Sequence, residues 1–309
     1  MSTWAYPPLS TAHNLEQAQF GSLSRELQWY LASLQQSFSS LRHSLQDCSN
    51  LLAPTGHGST LALSTPRSEC VKGYVTRVGT SIVKGDIQLR MESLPPAAKG
   101  ATSTRLLVST APTAIPLQLK QLSLVRRLIS DCLDIVDVST WTGDPTDSMF
   151  ISGQLKLLGD NLVEARKALE GDKEQGNQAW TEESAAIDSF ESPLPSNLSF
   201  HLTIHQAALV LYLRTLEPAK PQNQSSISDL FLKSTLFGYK PPQKHDEVGV
   251  EFTFRGEKDS PVNVVEKIRV ESQDPNLMSA LAKITAMENE VSRWRYALGE
   301  IMSVEVDAD

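Results

Sequence analysis

This sequence is short of nearly everything that announces a chemistry. No apolar run approaches the roughly 18–20 residues needed to cross a bilayer. The opening MSTWAYPPLST lacks the charged-then-apolar pattern of a secretory leader, so neither a membrane span nor export is expected. Cysteine is scarce. Cys48, Cys70 and Cys132 are an odd, scattered set, which argues against a disulfide framework or a local zinc cluster and fits a reducing compartment. Basic blocks are missing as well: 28 Lys and Arg against 36 Asp and Glu leave a net charge of −8. With a pI near 5.3 and no basic stripe interleaved with aromatics, nucleic acid and anionic lipid are poor partners. Aromatics make up only 6% of the chain, so several stretches read as loops.

Catalytic signatures are equally thin. There is no G-x-x-x-x-G-K-[ST] or G-x-G-x-x-G phosphate cradle, no G-x-S-x-G, no H-E-x-x-H and no Cys-x-x-Cys. Three weaker patterns remain. His201 and His205 share one face of a strand, but on its polar side and with no companion ligands. Asp131, Asp134 and Asp137 repeat every three residues, which reads as the solvated face of a helix rather than a magnesium site. Ser81-Ile82-Val83-Lys84 matches S-x-x-K but sits at a hairpin turn, so it reads as accidental. Asn197-Leu198-Ser199 is a sequon without an export signal. No catalytic residue, cofactor or metal is expected.

Hydrophobic periodicity, by contrast, is abundant. In ELQWYLASLQQSFSSLRHSLQDC, Leu27, Leu31, Leu34, Phe38, Leu41, Leu45 and Cys48 step by four and three, the seam of a coiled coil. The spacing predicts a helix from about Asn14 to Leu52. A second helix starts near Pro116 and carries Leu122, Val125, Ile129, Cys132 and Val136. A third, from about Ser148 to Glu170, presents Ile151, Leu155, Leu158, Leu162, Ala165 and Leu169, with Gly171 placed as its C-cap. The last, from about Asn276 to Met302, presents Leu277, Ala280, Ile284, Met287, Val291, Trp294, Leu298 and Ile301.

Between these helices the period changes to two. Val71-Lys72-Gly73-Tyr74-Val75 and SIVKGDIQLRM read as a hairpin, with a third short strand at Arg105 to Ser109. A second β region follows: Leu198, Phe200, Leu202 and Ile204 alternate with polar residues, and AALVLYLRTL forms the return. Val248, Val250, Phe252 and Phe254 make a further strand, and VNVVEKIRV returns from it.

Four apolar stripes in one chain can satisfy one another. The expected fold is therefore α+β: an antiparallel four-helix bundle of N-terminal, middle and C-terminal helices, with a separate antiparallel β domain inserted between them. The bundle takes residues 14–52, 113–172 and 273–303; the β domain takes 67–112 and 196–272. Residues 1–13, 172–195 and 218–247 read as loops or linkers. The bundle seam comprises Leu27, Leu31, Leu34, Phe38, Leu41, Leu45, Leu155, Leu158, Leu162, Leu169, Ile284, Val291 and Leu298. Trp29 and Trp294, near the outer ends of the first and last helices, read either as packing between those helices or as candidate partner anchors, since interface cores favour tryptophan. A seam of about three heptads before Pro54 is short for an independent zipper, so a monomer is favoured over a homodimer.

Several ordered pieces resemble the Rogdi family of leucine-zipper-containing proteins, whose fungal members include the second subunit of the RAVE complex. They are Glu26-Leu27-Gln28-Trp29-Tyr30-Leu31, Val71-Lys72-Gly73-Tyr74-Val75, Gly85-Asp86-Ile87-Gln88-Leu89-Arg90-Met91, Phe190-Glu191-Ser192-Pro193-Leu194-Pro195-Ser196-Asn197-Leu198 and Leu211 to Pro218. Val264 to Val270 and the closing helix match more loosely, and the segments 172–189 and 219–247 depart from the pattern. The resemblance implies a non-enzymatic adaptor that brings the soluble sector of the V-ATPase back onto its membrane sector, supporting vacuolar and endosomal acidification. It implies a rabconnectin-like β-propeller scaffold and soluble-sector pump subunits as partners. It also implies a cytoplasmic protein recruited peripherally to vacuolar and endosomal membranes. The competing reading is a homodimeric coiled-coil protein unrelated to the pump.

Overall fold

A computed structural model describes residues 12–53, 58–65, 70–94, 101–141, 147–171, 180–219, 245–255 and 261–302, with side chains from residue 17 and excluding that of 141. The expected loops over 1–11, 172–179 and 220–244 lie outside the described residues. Within them the chain is mixed α and β. Five helices, α1 (Ala12–Leu51), α2 (Lys120–Trp141), α3 (Ser148–Glu170), α4 (Trp180–Glu183) and α5 (Pro275–Met302), accompany two antiparallel sheets. The first sheet runs β1 (Ser59–Ser64), β2 (Val71–Val78), β3 (Ser81–Leu89) and β4 (Thr104–Leu107), with β5 (Leu117–Gln118) also paired to β3. In the second, β6 (Leu198–His205), β7 (Ala208–Pro218), β9 (Val262–Gln273) and β8 (Glu251–Phe252) lie in that order.

The chain divides into two compact units: Met1–Asn50, Val125–Arg166 and Ala282–Asp309 form a helical unit, and Leu51–Leu124 and Lys167–Leu281 form a β unit. In the helical unit Leu31, Leu34, Phe38, Leu41, Leu45 and Cys48 of α1 are buried, as are Ile151, Leu155, Leu158 and Leu162 of α3 and Ile284, Val291 and Leu298 of α5. Contacts between helices fix their pairing. On α1, Gln35 and Arg42 bond Ser139 and Asp137 of α2, while Tyr30 and Asp47 bond Trp294 and Lys283 of α5. Arg166 of α3 pairs with Glu288 of α5 at 2.6 Å.

In the β unit the two sheets bury their strands differently. Strand β2 alternates, with Val71, Val75 and Arg77 inward and Lys72 and Tyr74 outward, as expected of a sheet wet on one face. Strand β7 is buried from Ala208 to Leu216 apart from Tyr212, so it is covered on both faces, which is why its sequence reads as one apolar run. Gly171, at φ +66°, closes α3, and a Cβ there would collide with the Ile204 carbonyl. The β6–β7 turn sits beside it: Gln206 and Ala207, both at positive φ, donate their N–H groups to the carbonyls of Glu170 and Leu169. Those helix-terminal acceptors would otherwise lack partners.

Several boundaries differ from expectation. Residues 117–118 pair with β3, so α2 starts at Lys120 rather than near Pro116. Strand β1 adds a further strand to the expected hairpin, with Leu61 and Leu63 buried and alternating with Thr60, Ala62 and Ser64. The strand expected over 248–254 shrinks to Glu251–Phe252, because residues 246–249 form turns and Val248 and Val250 are exposed. The linker expected over 172–195 contains α4 and a 3-10 turn at Ile187–Ser189, organised by the fully buried Trp180.

Candidate functional site

The two tryptophans proposed as partner anchors have different surroundings. Trp294 is half-buried: its ring meets Phe38 edge-on at 5.9 Å, and its carbonyl accepts a hydrogen bond from the Tyr30 hydroxyl at 3.1 Å. It is part of the α1–α5 packing. Trp29 is 71% exposed. It belongs to a set of outward apolar side chains in the helical unit, with Phe20 and Leu23 on α1 and Tyr296 on α5. Leu27 is only half-buried, so the α1 seam loosens towards the N-terminus before it closes at Leu31. Leu169, placed in the bundle seam by its spacing, is buried but falls in the β unit.

The β unit holds its polar groups inside. Arg214 on β7 forks onto Glu247, with Nε and Nη2 donating to the two carboxylate oxygens at 2.7 and 2.8 Å. Lys267 on β9 donates to Glu247 at 2.8 Å and to Asp246 at the same distance. The guanidinium also lies 4.7 Å over the Trp180 ring and 5.1 Å over that of Tyr212. Phe252 and Phe254 pack on Trp180, and Leu216 and Val264 complete the cluster. Burial alone would push the Glu247 carboxyl up. The hydrogen bonds and charges of Arg214 and Lys267 outweigh it and hold the group below its ordinary range. No sequence signal linked these residues, since 33 positions separate Arg214 from Glu247.

A second buried pair joins β2 to the start of α5. Arg77 donates to Asp274 at 2.6 Å, with side chains 1% and 0% exposed. Asp274 also accepts from the Asn276 backbone N–H and from Ser59, making it both ion partner and helix cap. Neither network exposes a nucleophile or an empty ligand set; both are built to hold segments together.

The weaker sequence patterns are dispersed. His201 does not face solvent as its polar alternation suggested. It is 2% exposed, with Nδ1 3.4 Å from the Glu183 carbonyl, because β6 carries α4 against it. Burial, with the nearby Arg214 charge, lowers its pKa, so the ring stays neutral. His205 is half-buried. Asp131 and Asp134 are exposed and Asp137 pairs with Arg42 at 2.7 Å. No group of three or more His, Cys, Asp or Glu among the described residues could hold a metal ion. Ser81 opens β3 and Lys84 is exposed on it. Burial pushes the Cys48 and Cys132 thiols up to about 11 and about 12, leaving them as small hydrophobes. Among the described residues no helix is long and apolar enough to cross a membrane.

No curated protein matches the sequence. The family described as Rogdi leucine zipper containing protein matches residues 26–299, from the α1 seam to the end of α5. The match spans both units and all nine strands, and on that evidence the chain belongs to the Rogdi family.

Proposed function

We propose that this protein is a non-enzymatic adaptor subunit of a RAVE-like complex that promotes assembly of the V-ATPase soluble sector onto its membrane sector. Membership of the Rogdi family over residues 26–299 carries the reading. Its partners are a rabconnectin-like β-propeller scaffold and soluble-sector pump subunits, and the complex recruits it from the cytoplasm to vacuolar and endosomal membranes. Trp29 is the anchor through which the helical unit meets a partner, being a large aromatic left 71% exposed.

We further infer that α1, α2, α3 and α5 close into an antiparallel four-helix bundle. The pairs Tyr30–Trp294 and Asp47–Lys283 run in opposite directions along α1 and α5, as do Gln35–Ser139 and Arg42–Asp137 along α1 and α2, which supports that arrangement. The tagged full chain, incubated with fungal lysate under conditions that preserve such complexes, is expected to recover a rabconnectin-like scaffold and pump subunits. Recovery of neither would overturn the assignment.

A further inference from the structure

Strand β6 is the edge of the second sheet, and its outward backbone groups are almost all capped from within the β unit. The Phe200 N–H donates to Ser184 Oγ at 3.1 Å, and the Phe200 carbonyl accepts from the Ala185 N–H at 2.7 Å. Four residues on, the Ile204 N–H donates to Gln121 Oε1 at 2.7 Å and its carbonyl accepts from Gln121 Nε2 at 3.0 Å. Midway between them lies Leu202. By the two-residue period of a strand, its N–H and C=O point the same way. No group among the described residues bonds them.

A cavity of about 260 Å³ opens at that position, with Leu117, Gln118, Lys120, Ala186, Ser189 and Leu202 in its lining. Ser189 is 1% exposed, and its hydroxyl is buried without a partner among the described residues. The lining therefore combines a backbone donor, a backbone acceptor and a buried hydroxyl with the aliphatic side chains of Leu117, Ala186 and Leu202. Unpaired edge groups are a template for another strand, and buried polar groups call for partners. Of the charged side chains in its lining, Lys120 and Glu183 pair with each other at 2.9 Å and Glu182 is exposed. The space is below the roughly 300–1,000 Å³ of ordinary small-molecule sites. A neutral extended peptide supplies what is missing: an N–H and C=O for one rung, and an aliphatic side chain for the walls.

We propose that this slot docks a short, neutral, extended segment of a partner protein, which completes the β6 edge at Leu202. The proposal does not rest on the pump reading. It extends an edge already closed on both sides by Gln121 and by Ser184 and Ala185, so about three residues of peptide fill the gap.

The test uses the full chain with isotope-labelled leucine, the capped peptide acetyl-Ser-Val-Leu-Val-Ser-amide, and pentaproline capped as its acetyl dimethylamide, which has no N–H to offer. In the free protein the Leu202 amide is expected to exchange with solvent faster than the ladder-bonded amides of β7. The Ser-Val-Leu-Val-Ser peptide should slow that exchange and shift the Leu202 resonance; pentaproline should do neither. Leu202→Pro deletes the outward donor while leaving the β6–β7 ladder its bonds, and Ala186→Trp fills the cavity. Each should weaken peptide binding about tenfold or more, with the melting temperature retained. Should Leu202→Pro fail to fold, Ala186→Trp still decides. Protection of the Leu202 amide in the free chain would overturn the proposal, because the rung would already be closed. So would the absence of peptide binding, equal binding of pentaproline, or undiminished binding by Ala186→Trp.

Discussion

The two units differ in how deeply their strongest ion pairs are buried. In the helical unit no ion pair among the described residues is fully buried: Arg42 and Asp137 are about half exposed, Lys283 and Asp47 more than a third, and Arg166 and Glu288 are half-buried. In the β unit Arg77–Asp274 and Arg214–Glu247–Lys267 are buried. A helix satisfies its own backbone, so four amphipathic stripes need only cover one another. Short strands and irregular connections leave donors and acceptors inside, and ions that bind several at once can hold them. Buried ions specify which segments meet, at a desolvation cost that apolar packing avoids.

The sharpest way to break this contrast is to remove one member of a buried pair. Glu247→Ala removes the carboxylate that Arg214 forks onto, while Lys267 keeps Asp246, and a loss of about 3–5 kcal/mol is expected in urea melts followed by the β signal. Arg77→Ala should cost a similar amount and also fray the start of α5, read as faster amide exchange after Asp274. In the helical unit the corresponding weak point is apolar. Leu45, 0% exposed, should cost about 2–5 kcal/mol as Leu45→Ala through the cavity it leaves.

Acidification separates the units next. The folded-state pKa of His201 lies below its ordinary value of 6.5, and that of Glu247 below 4.5. The unfolded chain therefore binds more protons than the folded chain as pH falls, and stability rises with pH. The His201 contribution is complete above about pH 6.5 and declines below it; that of Glu247 declines below about pH 4.5. Urea midpoints measured down this range should fall for the β signal first. His201→Phe should abolish the upper step.

The smallest effects on stability belong to the helical unit's surface. Arg42→Ala should leave the melting temperature unchanged, since exposed pairs contribute little. Trp29→Ala should likewise leave it unchanged, yet reduce recovery of the scaffold in the pull-down above. Trp294→Ala should lower it, because that ring packs on Phe38. A fall in stability for Trp29→Ala equal to that for Trp294→Ala would erase the distinction between anchor and packing residue.

Much of the helical unit was legible in the sequence, because a 3.6-residue period is a local signal and every seam position repeats it. The distinction between Trp29 and Trp294 was not, since both flank a seam and only the neighbouring helix decides which is covered. In the β unit, alternation located β2, β3, β6 and β9. It misplaced His201, because the rule assumes one wet face and α4 covers that side of β6. Trp180 looked like linker because its partners Phe252, Phe254 and Arg214 are tens of residues away. The open rung at Leu202 has no sequence mark at all. Among the described residues Gln121 and Ser184, from two other segments, stop short of it.

The turn at Gln206 and Ala207 bears on the order of folding. Both residues hold positive φ, at 51° and 56°, without the glycine or asparagine such a turn favours, and each such residue costs of order 1–3 kcal/mol. Their N–H groups are held by the last carbonyls of α3. A hairpin whose bend is unfavourable in isolation is a poor nucleus. Strands β6 and β7 are therefore expected to close late, once the C-terminal end of α3 can template the bend. Relieving the turn with Gln206→Asn and Ala207→Gly should let the hairpin form early, speeding refolding more than it slows unfolding.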